Sequence, residues 1–241
     1  MARKVALFIP CFVDQLSPQV GLDVARVLER VGYEPYFPEE QTCCGQPAFN
    51  AGHWSEARPL AVRFLQVFRT ADVVVCPSGS CTTMVRNFYP ELLHGFAGYD
   101  EAISMGKRVF EFSEFLVKVA GVQDVGATFP HRVTYHDSCH ALRELRIQKE
   151  PRELLRNVRG LELAEMPASE ECCGFGGMFA VKFGAVSAAM GEVKSVNIQS
   201  SGAEYVTSID SSCLMHIEGI LGKRNDAAKT IHLASILAQE A

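Results

Sequence analysis

The chain has 241 residues, of which 48% are hydrophobic and 21% are charged, as is usual for a soluble globular protein. Its net charge of -5 offers no basic surface to nucleic acid, and no apolar run reaches the roughly 18 residues that a membrane span needs. These figures argue against a nucleic-acid-binding protein and against a transmembrane segment. They favour a cytoplasmic protein, in which clustered cysteines bind metal or do redox chemistry more often than they form disulfides.

Strands and helices alternate along the first half of the chain. The predicted elements are, in order, a strand at 4–10, a helix at 18–31, a strand at 33–37, a helix at 55–70 and a strand at 71–75. The helices are predicted from apolar residues at intervals of three and four, and the strands from short apolar runs. Such alternation is typical of a parallel sheet with crossover helices.

The second half repeats this order. Its predicted elements are a strand at 132–135, a helix at 151–158, a strand at 161–166, a helix at 185–199, a strand at 203–209 and a helix at 214–221. The joining region, 95–130, contains a further strand at 108–112 and a helix at 113–119, and glycine and proline mark a boundary near 122–130. We therefore predict an α/β fold of two tandem homologous parallel-sheet units related by internal duplication, one at 1–125 and the other at 126–241.

The cysteines repeat in the same way. Each half has a lone cysteine, then an adjacent pair followed by glycine, then another lone cysteine, and matching cysteines lie 128 to 132 positions apart. A nearly constant shift of this kind indicates a duplicated unit. Eight of the nine cysteines follow the pattern: Cys11, Cys43, Cys44 and Cys81 in the first half, and Cys139, Cys172, Cys173 and Cys213 in the second.

The predicted positions of these cysteines favour two metal or cluster sites. Loops at the carboxyl ends of parallel strands meet in one crevice, so cysteines that are distant in sequence can converge there. Thiolates are soft ligands that select iron–sulfur clusters or zinc over calcium or magnesium. Adjacent cysteines suit different atoms of an extended cluster, and Gly45 and Gly174 allow the backbone N–H groups to approach sulfur closely.

Four other residues are weaker candidate ligands. Cys76 ends the apolar run VVVC, where a buried hydrophobic role is the simpler interpretation. His136 and His140 flank Cys139 in HDSCH, and His216 lies three positions after Cys213. Each histidine fits a metal ligand, and each fits a capping or surface residue equally well.

The two cysteine patterns resemble the cysteine-rich CCG-domain family, whose members include a subunit of heterodisulfide reductase and the iron–sulfur subunit of glycolate oxidase. The stretches PSGSC at 77–81 and HDSCH at 136–140 are also similar to family motifs. The resemblance implies that the eight cysteines hold one iron–sulfur cluster in each half, of the [4Fe-4S] type. The sequence departs from the family pattern at Met84 and His216, which stand where the last cysteine of each CxxC is expected. An ordinary cubane, another cluster or zinc in one or both sites therefore stays open.

The resemblance also implies a function. We expect an iron–sulfur electron-transfer subunit of a complex that oxidises L-lactate to pyruvate, working with sister lactate-utilization proteins, one of which carries ferredoxin-type cysteine motifs. No acid/base pair or flavin site can be assigned from the sequence, so the catalytic residues stay unknown. Two alternatives remain at this point: a thiol–disulfide redox protein similar to heterodisulfide reductase, and a zinc-binding scaffold.

Overall fold

The computed structural model describes residues 3–240, and these form two parallel sheets of four strands each. The first sheet has the order β2-β1-β3-β4 and contains β1 (Arg3–Leu7), β2 (Tyr33–Tyr36), β3 (Val74–Cys76) and β4 (Val109–Glu111). The second has the order β6-β5-β7-β8 and contains β5 (Arg132–Tyr135), β6 (Glu162–Leu163), β7 (Tyr205–Ser208) and β8 (Lys229–His232). The identical strand order confirms the predicted α/β fold with internal duplication.

Helices cover the sheets. Those of the first half are α1 (Cys11–Leu16), α2 (Pro18–Arg30), α3 (Gln46–Asn50), α4 (Trp54–Val67), α5 (Gly79–Thr83), α6 (Tyr89–Leu92), α7 (Tyr99–Gly106) and α8 (Phe112–Glu114). Those of the second half are α9 (Lys149–Arg156), α10 (Met178–Lys182), α11 (Gly184–Ser201), α12 (Ser211–Arg224) and α13 (Leu233–Leu237). Turns of π-helix occur at Met84–Phe88, Phe115–Val119 and Ala141–Leu145.

Helix α2 shows why local sequence predicts these elements well. Pro18 stands in its first turn, where a missing backbone N–H costs nothing, and Val20, Val24 and Val27 bury one face. Gly32 follows with a φ of 88°, a left-handed conformation that ends the helix and that glycine adopts without strain.

The strands at the edges of the sheets were predicted with uneven success. The expected strand at 108–112 is β4, but β8 and the helix α13 after it were not predicted. The expected strand at 161–166 shrinks to the two residues Glu162–Leu163, because only Arg132 and Val133 of β5 pair with it. Edge strands have one neighbour, so few backbone pairs maintain them.

The two halves share a core. The largest cluster of buried apolar side chains includes Val5, Leu28 and Phe115 from the first half together with Tyr135 and Leu233 from the second. Two smaller clusters each lie within one half. The boundary between 1–125 and 126–241 stays a prediction. Within 3–240, the structure has no helix of the length and apolar character that a bilayer crossing requires.

Candidate metal centres

The cysteines of the first half lie where strands give way to loops and helices. Cys11 begins α1 shortly after β1, and Cys81 lies in α5, which follows β3. The Ser78 hydroxyl caps α5 by accepting a hydrogen bond from the Cys81 backbone N–H at 3.2 Å. Cys43 and Cys44 lie in the loop after β2. Because β1, β2 and β3 are parallel neighbours, all four residues are at one edge of the sheet.

The four thiols of the first half form one connected group. The Cys11 and Cys43 sulfurs are 3.6 Å apart, and the Cys44 and Cys81 sulfurs are 3.4 Å apart. Hydrogen bonds from Cys11, Cys44 and the Gly45 backbone N–H lower the pKa of Cys43 to about 3. The same hydrogen bonds to Cys43 raise the pKa of Cys11 and of the fully buried Cys44. The group therefore already favours a thiolate, the form of cysteine that binds metal.

The second half repeats this arrangement. Hydrogen bonds from Cys139, Cys173 and the Gly174 backbone N–H lower the pKa of Cys172 to about 2. Hydrogen bonds to Cys172 and Cys213, together with burial, raise the pKa of Cys173. Gly174 has a φ of 93°, and a Cβ there would lie 2.6 Å from the Ser187 carbonyl oxygen. This position therefore requires glycine for both its conformation and its close packing.

All eight patterned cysteines line a single cavity between the two halves. Phe12 from the first half and Phe175 from the second meet across it, edge to face, with ring centroids 5.5 Å apart. Cys76 is outside the cavity: it is fully buried in β3, with its sulfur 3.6 Å from the Ser78 carbonyl oxygen. Burial raises the pKa of its thiol well above the ordinary value.

Asp210 lines this cavity and joins the two halves. Its carboxylate accepts hydrogen bonds from the Ser78 hydroxyl at 2.6 Å, the Ser80 hydroxyl at 2.8 Å and the Ser80 backbone N–H at 3.2 Å. It also accepts one from the Ser138 hydroxyl. Ser80 precedes Cys81 and Ser138 precedes Cys139. One buried side chain therefore positions a cysteine segment from each half.

Polar contacts also hold the loop before the second cysteine pair. Arg152 forms a two-pronged ion pair with Asp137, at 2.7 and 2.8 Å, and a further pair with Glu165. The Lys194 amine, itself buried, donates to the Ala168 carbonyl at 2.8 Å, and burial lowers its pKa. These bonds fix the loop relative to the end of β5 and to α11.

The three candidate histidines lie at different positions around the second quartet. A ring nitrogen of His136 and the sulfurs of Cys173 and Cys213 are within 4.8 Å of one another. Burial, and secondarily the Lys194 charge, lower the pKa of His136 to about 4, so its imidazole is neutral. His140 lines the cavity beside Cys139. The Nε2 atom of His216 is buried near Gly174 and Gly191.

Comparison with known proteins identifies the family. The family model for the CCG cysteine-rich domain matches residues 5–86 and again residues 133–218. The chain belongs to this family. Each matched segment is one CCG unit, and each contains four of the eight patterned cysteines.

Relatives match almost the whole chain. The protein named Lactate utilization protein A of Bacillus subtilis (strain 168) is 43% identical over 235 residues, which is 97% of this chain and 98% of the relative. The protein of the same name from Geobacillus thermodenitrificans (strain NG80-2) is 42% identical, with the same shares covered. A crystal structure of a hypothetical protein from Helicobacter pylori superposes with a TM-score of 0.63 at 13% identity, over 98% of this chain and 48% of that chain. That last likeness shows the fold alone.

Sequence reasoning missed the residues that join the CCG units. Ser78, Ser80 and Asp210 stand next to cysteine motifs, and none of them was among the predicted site residues. A usable signal was present, since Ser78 and Asp210 occupy matching positions in the two units, 132 residues apart. Their hydrogen bond to each other depends on how the two units pack together. The spacing of residues along the sequence does not determine that packing.

Proposed function

We propose that the chain is an iron–sulfur electron-transfer subunit of an assembly that oxidises L-lactate to pyruvate. The observation that carries this proposal is the pair of thiol quartets facing one cavity. The names of the relatives from Bacillus subtilis and Geobacillus thermodenitrificans, which refer to lactate utilization, support the choice of substrate. An iron–sulfur cluster at either quartet would take up and release single electrons.

The residues present suit such a group. Each quartet offers four thiols, of which Cys43 or Cys172 already has a strongly lowered pKa. The Gly45 and Gly174 N–H groups lie 3.4 Å from these two sulfurs, and a hydrogen bond to a ligating sulfur raises the potential of a cluster. We assign Cys11, Cys43, Cys44 and Cys81 to one centre, and Cys139, Cys172, Cys173 and Cys213 to the other.

The working partners and location are part of the same proposal. We infer a cytoplasmic complex with sister lactate-utilization proteins, one of which has ferredoxin-type cysteine motifs. In it, the CCG units at 1–125 and 126–241 each supply one centre. The role of this chain would be to position two redox centres around a common cavity, while the bond-breaking at lactate takes place elsewhere in the assembly.

Anaerobic purification tests the cofactor. Iron, acid-labile sulfide and zinc should be measured with the absorption spectrum and EPR, first on the native chain. We expect iron and sulfide at both units, a loss of about half in C43S and in C172S, and no loss in C76S, because Cys76 lies outside the cavity. Stoichiometric zinc in a colourless anaerobic preparation would contradict the proposal, as would equal iron in C172S and the native chain.

A second experiment tests the substrate. The chain should be co-expressed with its sister lactate-utilization proteins and the isolated complex mixed anaerobically with L-lactate, D-lactate or glycolate. We expect L-lactate to reduce the centres, seen as bleaching of their absorption, and the C172S complex to show less bleaching. Reduction by glycolate but not by L-lactate would assign the assembly to another 2-hydroxy acid.

A zinc-binding scaffold is the second candidate, and one observation favours it. His136, Cys173 and Cys213 combine nitrogen and sulfur donors within 4.8 Å, and structural zinc sites use such mixed sets. The first unit lacks this feature, because Phe8 takes the place of the histidine. The metal analysis above separates the two candidates.

A further inference from the structure

At one of the positions where the two CCG units differ, the second unit places a histidine beside the metal-binding cysteines. His136 in the second unit matches Phe8 in the first, 128 residues earlier. The backbone confirms the match: the Phe8 N–H donates to the Val75 carbonyl at 2.9 Å, and the His136 N–H donates to the Thr207 carbonyl at 2.8 Å. Val75 and Thr207 are themselves matching residues of β3 and β7. The two side chains therefore leave equivalent backbone positions.

Their surroundings are not equivalent. Phe8 packs edge to face against Phe64 and Phe68, with ring centroids 4.8 and 5.8 Å away, so it completes an apolar core. His136 is fully buried, and neither of its ring nitrogens has a hydrogen-bond partner among residues 3–240. A buried polar group without a partner is costly and uncommon in folded proteins. Because the first unit folds with phenylalanine here, the fold itself does not require an imidazole.

We propose that His136 is a nitrogen ligand of the centre in the second unit, making that centre mixed cysteine and histidine while the first is held by cysteines alone. The inference rests on the proposed function in so far as that centre must bind metal. One ring nitrogen is within 4.8 Å of the Cys173 and Cys213 sulfurs, which places three donors around a common point. A metal there would satisfy a nitrogen that otherwise has no partner.

The backbone that carries His136 also suits the ligand assignment. His136 directly follows β5 and is held by its own backbone bond to Thr207, so its position does not depend on a mobile loop. Where the neutral His136 nitrogen takes the place of one of the four assigned thiolates at an iron, the cluster is less negative and its reduction potential is higher.

The experiment detects the nitrogen itself. The chain is produced with ¹⁵N-labelled or unlabelled histidine, loaded with iron and sulfide under anaerobic conditions, reduced, and measured by pulsed EPR. We expect a nitrogen coupling that changes frequency with the histidine label, is lost in H136F, and persists in H140F and H216F. We also expect a chelator to extract metal from H136F at a concentration at least about tenfold lower than from the native chain.

Each outcome of this experiment either supports or overturns the assignment of His136 as a ligand. A loaded native chain without any histidine coupling overturns the inference, and so does a coupling that survives in H136F or disappears only in H140F or H216F. If H136F fails to fold, H136N provides the same comparison, and the labelling of the native chain needs no variant. A preparation that takes up zinc in place of iron contradicts the proposed function, yet zinc-edge X-ray absorption of native and H136F protein still tests the ligand. A chain that binds no metal overturns both.

Discussion

Replacing Asp210 should weaken the contact between the two CCG units. D210A removes an acceptor that is only 1% exposed and that receives four hydrogen bonds, from Ser78, Ser80 and Ser138. Hydrogen bonds to a charged acceptor contribute about 1.5–3 kcal/mol each, and water entering the adjoining cavity can replace some of them. With two of the four unreplaced, we expect the free energy of unfolding to fall by about 3–6 kcal/mol.

Urea unfolding of the metal-free protein, followed by circular dichroism, measures this change without a contribution from metal binding. D210N is the matched control, because its amide retains one acceptor oxygen and the same shape. We expect it to lose roughly half as much, about 1.5–3 kcal/mol. A loss under about 1 kcal/mol in D210A, or equal losses in the two variants, would refute the view that this carboxylate joins the units.

Three further predictions concern other positions. The G79A variant should lose about 1–3 kcal/mol of its free energy of unfolding in urea, because the added Cβ would lie 2.5 Å from the Cβ of Ala141. The G222A variant should show no such loss, because its added Cβ would face open space. Burial of Glu111 raises its pKa in the folded state to about 8, from an ordinary value of 4.5. The folded state therefore keeps this proton to a higher pH than the unfolded state does. The free energy of unfolding of the native chain should fall by up to roughly 4–5 kcal/mol relative to that of E111Q as the pH rises from about 4.5 to about 8. Parallel pH profiles of unfolding would contradict this. K194M should release metal from the second unit faster under chelation, because the Lys194 amine holds the backbone before its cysteine pair; equal release rates would show that this bond is dispensable.

The sequence alone determined seven of the eight strands, the four longest helices and the duplication. Helix α2 was predicted at 18–31 and spans Pro18–Arg30, and the strand predicted at 132–135 is β5. These predictions succeed because the spacing of apolar residues within one element reports which face is buried. The repeated cysteine spacing pointed to the CCG family, which the family match confirms. Strand β8 was missed because its sequence, KTIH, contains a single apolar residue and so gives no short apolar run.

Only the tertiary structure decided how the units meet. Nothing local to Ser78 or Asp210 says that their side chains lie 2.6 Å apart, or that both cysteine quartets line one cavity. Likewise, HDSCH does not distinguish a surface histidine from His136, whose buried ring lies beside Cys173. The physical reason is the same in each case. Periodicity describes a segment and its own face, whereas contacts between residues far apart in sequence depend on packing two sheets against a shared core.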